Sequence, residues 1–102
     1  GHLGTDISAP EGANVYAAGT GVVTMAAGGW NYGYGNVVQI DHGNGYVTVY
    51  AHLSSILVSQ CQTVGQGSVI GLAGNTGNSF GAHLHFEIRV GGSNINPYDI
   101  VQ

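Results

Sequence analysis

Glycine limits what this chain can become more than any other residue. Nineteen of the 102 residues are glycine, set in short clusters that leave runs of Val, Tyr, Thr and Ile between them. Glycine inside a helix costs about 1 kcal/mol relative to alanine, and no window of the sequence carries a sustained helical period. Short β-branched and aromatic runs bounded by glycine read instead as strands joined by tight turns. Strands are expected at about 15–18, 20–27, 36–41, 46–52, 69–72 and 83–90. The expected fold is all-β, with antiparallel sheets forming an open groove as a sandwich or split barrel. Residues 1–102 are expected to form one domain, excised from a longer protein.

Two of these strands form a hairpin. Residues 36–41 and 46–52 flank His42-Gly43-Asn44-Gly45, and Asn-Gly is a strong two-residue turn signal. With period two, Val47, Val49 and Ala51 face one way, and Tyr46, Thr48, Tyr50 and His52 the other. His52 is therefore expected at the strand's end on its polar side, reaching into a surface groove. His42, beside Asp41 in the hairpin, is expected to hydrogen-bond locally rather than bind a metal. The stretch Gly28-Gly29-Trp30-Asn31-Tyr32-Gly33-Tyr34-Gly35 has two readings, a groove wall that contacts substrate or a hairpin connection plugged by aromatics.

Charge excludes several classes of partner. The charged side chains are Asp6, Glu11, Asp41, Glu87, Arg89 and Asp99, with no lysine and a net charge of −4. Nucleic acid and anionic membrane surfaces both require a Lys/Arg face, so neither is an expected partner. The uncharged stretch 12–40 holds seven glycines together with Asn and Thr, a turn-rich β pattern rather than the roughly 20 apolar residues of a membrane span. Cys61 is the single cysteine, so no internal disulfide forms.

The chemistry concentrates in His83-Leu84-His85-Phe86-Glu87. As a strand it puts His83, His85 and Glu87 on one face and Leu84, Phe86 and Ile88 on the other, with the two imidazoles roughly 7 Å apart at their backbones. His2-Leu3-Gly4-Thr5-Asp6 supplies two more donors from a loop running into a strand. Imidazole nitrogen and carboxylate oxygen both suit Zn²⁺, and a catalytic zinc takes three protein ligands and one open position. Four donors are thus available, and spacing alone does not choose among them. Glu87 is expected to pair with Arg89, with an imidazole N–H as the alternative donor to it.

Taken together, His2-x₃-Asp6, Tyr34-Gly35-Asn36, Tyr50-Ala51-His52-Leu53, Gly71-x₂-Gly74-x-Thr76-Gly77 and His83-x-His85 resemble the lysostaphin/LytM-type zinc metallopeptidases. The resemblance covers nearly the whole chain. It implies a zinc-dependent endopeptidase that hydrolyses peptide bonds in bacterial peptidoglycan, in a cross-bridge or a stem peptide. It implies one Zn²⁺ held by His2, Asp6 and His85, with His52 and His83 as catalytic residues. It also implies a monomer in an extracytoplasmic setting, cellular or phage-borne. Phe80 stands where that family commonly has Thr, and Cys61 where a turn glycine is usual, which bears on loop shape and substrate preference.

Rival readings are weaker. Gly77-Asn78-Ser79-Phe80-Gly81 matches a nucleophile elbow, but that motif needs a helix after it, and here a strand is expected. A lipoyl- or biotin-type carrier needs an acceptor lysine, and the chain has none. The alternative from another class is a non-catalytic LytM-like module that binds and regulates a cell-wall hydrolase. Degenerate modules of that kind lose metal ligands, whereas all five positions are present here.

Overall fold

The computed structural model describes residues 4–91 and the backbone of 93–95. Among the described residues it contains β1 (Thr5–Ser8), β2 (Asn14–Tyr16), β3 (Gly21–Ala27), β4 (Asn36–Gly43), β5 (Tyr46–Ile56), β6 (Thr63–Val64), β7 (Val69–Ala73), β8 (His83–Val90) and β9 (Ser93–Ile95), with one 3₁₀ turn at Asn31–Gly33. Every pairing is antiparallel and the sheet is open, in the order β1-β8-β5-β4-β3-β6. The all-β expectation and its six strands are found. Strands β1, β6 and β9 were not foreseen, and β5 runs four residues beyond its expected end. These additions are two to four residues long and exist through pairing with β8 or β3, a tertiary cause that local propensity does not register.

The hairpin turns as its dipeptide dictates. Gly43 pairs with Tyr46, and Asn44 and Gly45 both take positive φ, 53° and 81°, the twist that a two-residue antiparallel connection favours.

Strand β5 organises the sheet. One edge pairs with β4 from Tyr46 to Leu53, while the other pairs with β8 from Tyr46 to Ala51 and with β7 from Leu53 to Ile56. Between those partners the register against β4 slips, since Val38 opposes Tyr50 but Asn36 opposes Leu53. Three steps along β5 thus match two along β4, a one-residue bulge. His52 lies in it at φ 61°, a left-handed conformation costing about 1–2 kcal/mol for an L-residue. Tyr50 and Leu53, on either side, are buried in the main core, and each such burial contributes about 1.5–3 kcal/mol. Packing on both sides of the bulge therefore outweighs the strain within it.

The bulge also changes which way His52 points. Alternation assigned it to the face of Thr48 and Tyr50, but Tyr50 is in the core and only Ala51's face carries the groove. The extra residue puts Ala51 and His52 on the same side. His52 reaches the groove because alternation fails there, which corrects the face assignment while keeping the destination.

The main core joins Val15, Val23, Ile40, Tyr50, Leu53 and Ile70, with Leu84 and Phe86 packed against it from β8. Leu84 and Phe86 thus face inward as expected, leaving the alternate residues of β8 for the other face.

Candidate active site

That other face is assembled by register. Asp6 of β1 lies directly opposite His85 of β8, and His85 directly opposite Ala51 of β5. Directly paired residues project to the same side, so Asp6, His83, His85 and the bulged His52 converge. The imidazole rings of His52 and His83 are 4.9 Å apart and those of His52 and His85 5.9 Å. They line an open groove of about 540 Å³, together with Asp6, Asn78 and the fully exposed Phe80. His2 lies outside the described residues. Of the five residues singled out from sequence, the other four are brought together.

Two loops wall the groove, and both close in on His52. Gly35 takes φ 69° and Gly77 φ 73°, and a Cβ on Gly35 would sit 2.5 Å from the Thr76 carbonyl carbon. Only glycine allows that approach. It lets the Asn36 N–H donate to Thr76 Oγ1 (3.1 Å), whose hydroxyl donates to the Leu53 carbonyl (2.7 Å). The His52 N–H donates to the Tyr34 carbonyl at 2.7 Å. The backbone around the bulge is thereby fixed from both loops. Tyr32, Gly33 and Tyr34 of the 28–35 loop line an adjoining pocket with His52, Asn78 and His85, so the loop lies beside the site, with Trp30 and Tyr32 exposed.

Hydrogen bonding divides the histidines. The His52 Nδ1–H donates to the Thr76 carbonyl at 2.6 Å, and the His83 Nδ1–H to the Gly81 carbonyl at 2.7 Å. A carbonyl only accepts, so in both neutral rings Nδ1 carries the proton and Nε2 is the bare nitrogen. Burial holds His52 below the ordinary histidine range, opposed in part by the Thr76 carbonyl. His85 is different: Nε2 is 2.8 Å from Glu87 Oε2 and Nδ1 is 2.7 Å from Asp6 Oδ1. The Glu87 contact raises the His85 pKa most, against the opposing effect of burial, with Asp6 adding to it. Asp6 is lowered, chiefly by the hydrogen bond from His85. For Glu87, burial pushes upward, but the hydrogen bonds from His85, Tyr34 and Arg89 together hold it below the usual range.

Asp6 and His85 thus meet through a donor pair of the type zinc prefers, imidazole nitrogen against carboxylate oxygen. Among the described residues, no group of three or more His, Cys, Asp or Glu side chains is arranged to hold a metal. The Asp6–His85 pair fits two of the three expected ligands.

Glu87 was expected to pair with Arg89 or with an imidazole. It does both, and it is completely buried. Tyr34, whose hydroxyl donates to Glu87 Oε2 at 2.7 Å, was not singled out. Its place in the Tyr34-Gly35-Asn36 motif was the available signal. His42 lies elsewhere, on the face of Thr48 and Tyr50, donating from Nδ1 to the Thr20 carbonyl and accepting from Thr48 at Nε2. Those partners are 22 and 6 residues away, so its bonding is less local than expected. Ser79 donates to the Gly81 carbonyl and precedes β8 rather than a helix, as the rejection of a nucleophile elbow requires.

An open antiparallel sheet carrying this His/Asp cluster is the arrangement expected of a metallopeptidase domain of the lysostaphin/LytM type. The chain belongs to peptidase family M23, whose model matches residues 1–97. It is 51% identical over 96 residues to the peptidoglycan DD-endopeptidase ShyA of Vibrio cholerae, covering 93% of this chain and 22% of that protein. The chain therefore spans about a fifth of that relative's length. Among solved structures it resembles the catalytic domain of the prophage-encoded M23 protein EnpA of Enterococcus faecalis (TM-score 0.91, 30% identity, 99% of this chain and 79% of that one). It likewise resembles the catalytic domain of lysostaphin, an antimicrobial peptidase from Staphylococcus simulans (TM-score 0.88, 34% identity, 96% and 77%).

Proposed function

We propose that this domain, residues 1–102, is a zinc-dependent endopeptidase acting outside the cytoplasm on a peptide bond of peptidoglycan. His2, Asp6 and His85 hold the metal, and His52 and His83 are the catalytic residues. The observation that carries this reading is the division of the imidazoles. His52 and His83 each have Nδ1 committed to a backbone carbonyl, while His85 alone meets a carboxylate at both nitrogens. When bound, zinc supplies a polarised water that is acidic enough to react near neutral pH. The bare Nε2 of His52 and of His83 can each take a proton in the groove. Once protonated, that nitrogen becomes a donor for the oxygen of the attacked carbonyl or for the departing amine. Burial disfavours the charged form of His52. Asp6 supplies the negative charge of the ligand set. ShyA is a peptidoglycan DD-endopeptidase, which supports a peptidoglycan peptide as substrate.

Metal content and turnover together test the assignment. Asp6→Ala and His85→Ala are expected to lose the one equivalent of zinc. His52→Ala and His83→Ala are expected to keep it while peptide release from purified sacculi falls about 10²–10⁴-fold, the usual worth of a general acid–base group. Wild-type protein purified without chelator and lacking zinc would favour the non-catalytic module. Full turnover in either catalytic variant would overturn the role given to that histidine.

A further inference from the structure

Three residues behind the groove form a closed polar ring. Glu87 lies two residues beyond His85 on the same face of β8 and is wholly buried. Gly4 covers it, since a Cβ there would sit 2.6 Å from the Glu87 Cγ. Glu87 Oε1 accepts from Arg89 Nε at 3.0 Å and from Arg89 Nη2 at 2.9 Å. Glu87 Oε2 accepts from the Tyr34 hydroxyl at 2.7 Å and lies 2.8 Å from His85 Nε2. Arg89 Nη2 also donates to the Tyr34 oxygen at 3.0 Å.

The direction of each proton follows from the inventory of donors. A guanidinium only donates, so the Tyr34 oxygen accepts from Arg89 and its single proton goes to Glu87. An ionised carboxylate only accepts, so the hydrogen on the His85 side must come from Nε2. A bare Nε2 would set two lone pairs against each other 2.8 Å apart, beside a carboxylate wholly closed to solvent. The neutral ring then carries its proton on Nε2 and leaves Nδ1 bare. Asp6 competes for a proton at Nδ1, but its side chain is 63% exposed and can turn to water, whereas that of Glu87 is fully enclosed.

We propose that Tyr34, Glu87 and Arg89 act as positioning residues that hold His85 in its Nε2–H tautomer and so designate Nδ1 as the metal-binding nitrogen. This rests on the zinc reading for its purpose but not for its geometry. Metal-binding histidines commonly need their second nitrogen held in this way, and loss of the partner typically weakens metal binding about 10–100-fold.

Glu87→Gln is the informative variant because it keeps the shape. Arg89 demands an acceptor, so the new carbonyl oxygen turns toward it and the amide NH₂ toward His85. That amide favours a bare Nε2 and drives the proton to Nδ1. Nitrogen-15 NMR of the metal-free protein, at a pH where His85 is neutral, reads the tautomer directly. The expected result is Nε2–H in the wild type, Nδ1–H in Glu87→Gln, and a zinc Kd raised about 10–100-fold by chelator competition. A wild-type Nδ1–H tautomer overturns the proposal, and this readout stands even where Glu87→Gln does not fold. An unchanged tautomer or unchanged zinc Kd in a folded Glu87→Gln overturns it as well. Failure of the zinc reading has a different signature: the wild type then binds no zinc, while its metal-free tautomer still reports on the ring.

Discussion

Replacing Gly35 with alanine tests how far the groove depends on two loops touching backbone to backbone. Two costs can be read from the structure. The first is conformational: at φ 69° an L-residue loses about 1–2 kcal/mol. The second is steric, because the new Cβ would lie 2.5 Å from the Thr76 carbonyl carbon and 2.6 Å from both the Gly77 nitrogen and Thr76 Oγ1. Two of those three atoms are backbone, so no rotamer change relieves them, and overpacking of this kind costs about 1–3 kcal/mol. The sum is about 2–5 kcal/mol, against a typical domain stability of roughly 5–15 kcal/mol.

Gly67→Ala isolates the steric part. Gly67 has φ 83°, yet a Cβ there meets nothing within 4 Å, so only the conformational cost applies. Urea unfolding of both variants, with m-values matched to the wild type, gives the difference directly. The activity of Gly35→Ala should fall further than its stability implies. Thr76 supplies the carbonyl that orients His52, and a displacement of ~1 Å in a reacting group costs about 10²-fold in rate. If Gly35→Ala costs no more than Gly67→Ala and keeps full turnover, the loop contact does not position His52.

Metal-free protein should be most stable in mildly acid solution. The lowered carboxyls of Asp6 and Glu87 contribute stability that is present above their unfolded values of 3.8 and 4.5 and is lost as pH falls through their folded ones. The raised His85 contributes stability that is complete below 6.5 and lost as pH rises through its folded value. The lowered His52 adds stability as pH rises toward 6.5, so melting temperature in the presence of chelator should peak near 6.5 and decline on both sides; a monotonic rise to pH 9 would contradict the His85 contribution. Cys61→Gly should stabilise the fold. Exposed Cys61 holds φ 73°, so glycine relieves about 1–2 kcal/mol of strain while adding about 0.5–1 kcal/mol of unfolded-state entropy. At about 4–8 °C per kcal/mol the melting temperature should rise by a few degrees, and a fall would show that the thiol makes a contact worth more than the strain.

The sequence was most legible where one local rule held over a whole element. In β8, period two alone puts Leu84 and Phe86 in the core and His83 and His85 on the groove, as found, with Glu87 on that same face but buried behind the groove. The Asn44-Gly45 turn was equally plain, because two successive positive φ angles are a demand few dipeptides meet. From sequence, β1 reads as a loop running into a strand, because four residues after a glycine carry too little propensity to announce pairing. Its register against β8, which brings Asp6 opposite His85, is a fact about residues 79 positions apart.

His52 is the most instructive case. Simple alternation gives it the face of Tyr50, and Tyr50 is buried in the main core. What moves His52 to the groove is a bulge, and the bulge is held by the Tyr34 carbonyl, by the hydroxyl of Thr76 on the Leu53 carbonyl, and by two glycines that let those loops approach. None of these contacts is local to β5, so no window around His52 could have revealed them. The same holds for Glu87, whose burial depends on Gly4 and whose partners arrive from residues 34 and 89. His52 departs from the face its own strand dictates, Glu87 keeps its face but is buried by chain from elsewhere, and both lie against the imidazoles of the groove. A regular strand can offer only every second residue to one face. Bringing His52 beside His83 and His85 requires breaking that regularity at one point, and the strand breaks where β5 exchanges one partner for the next.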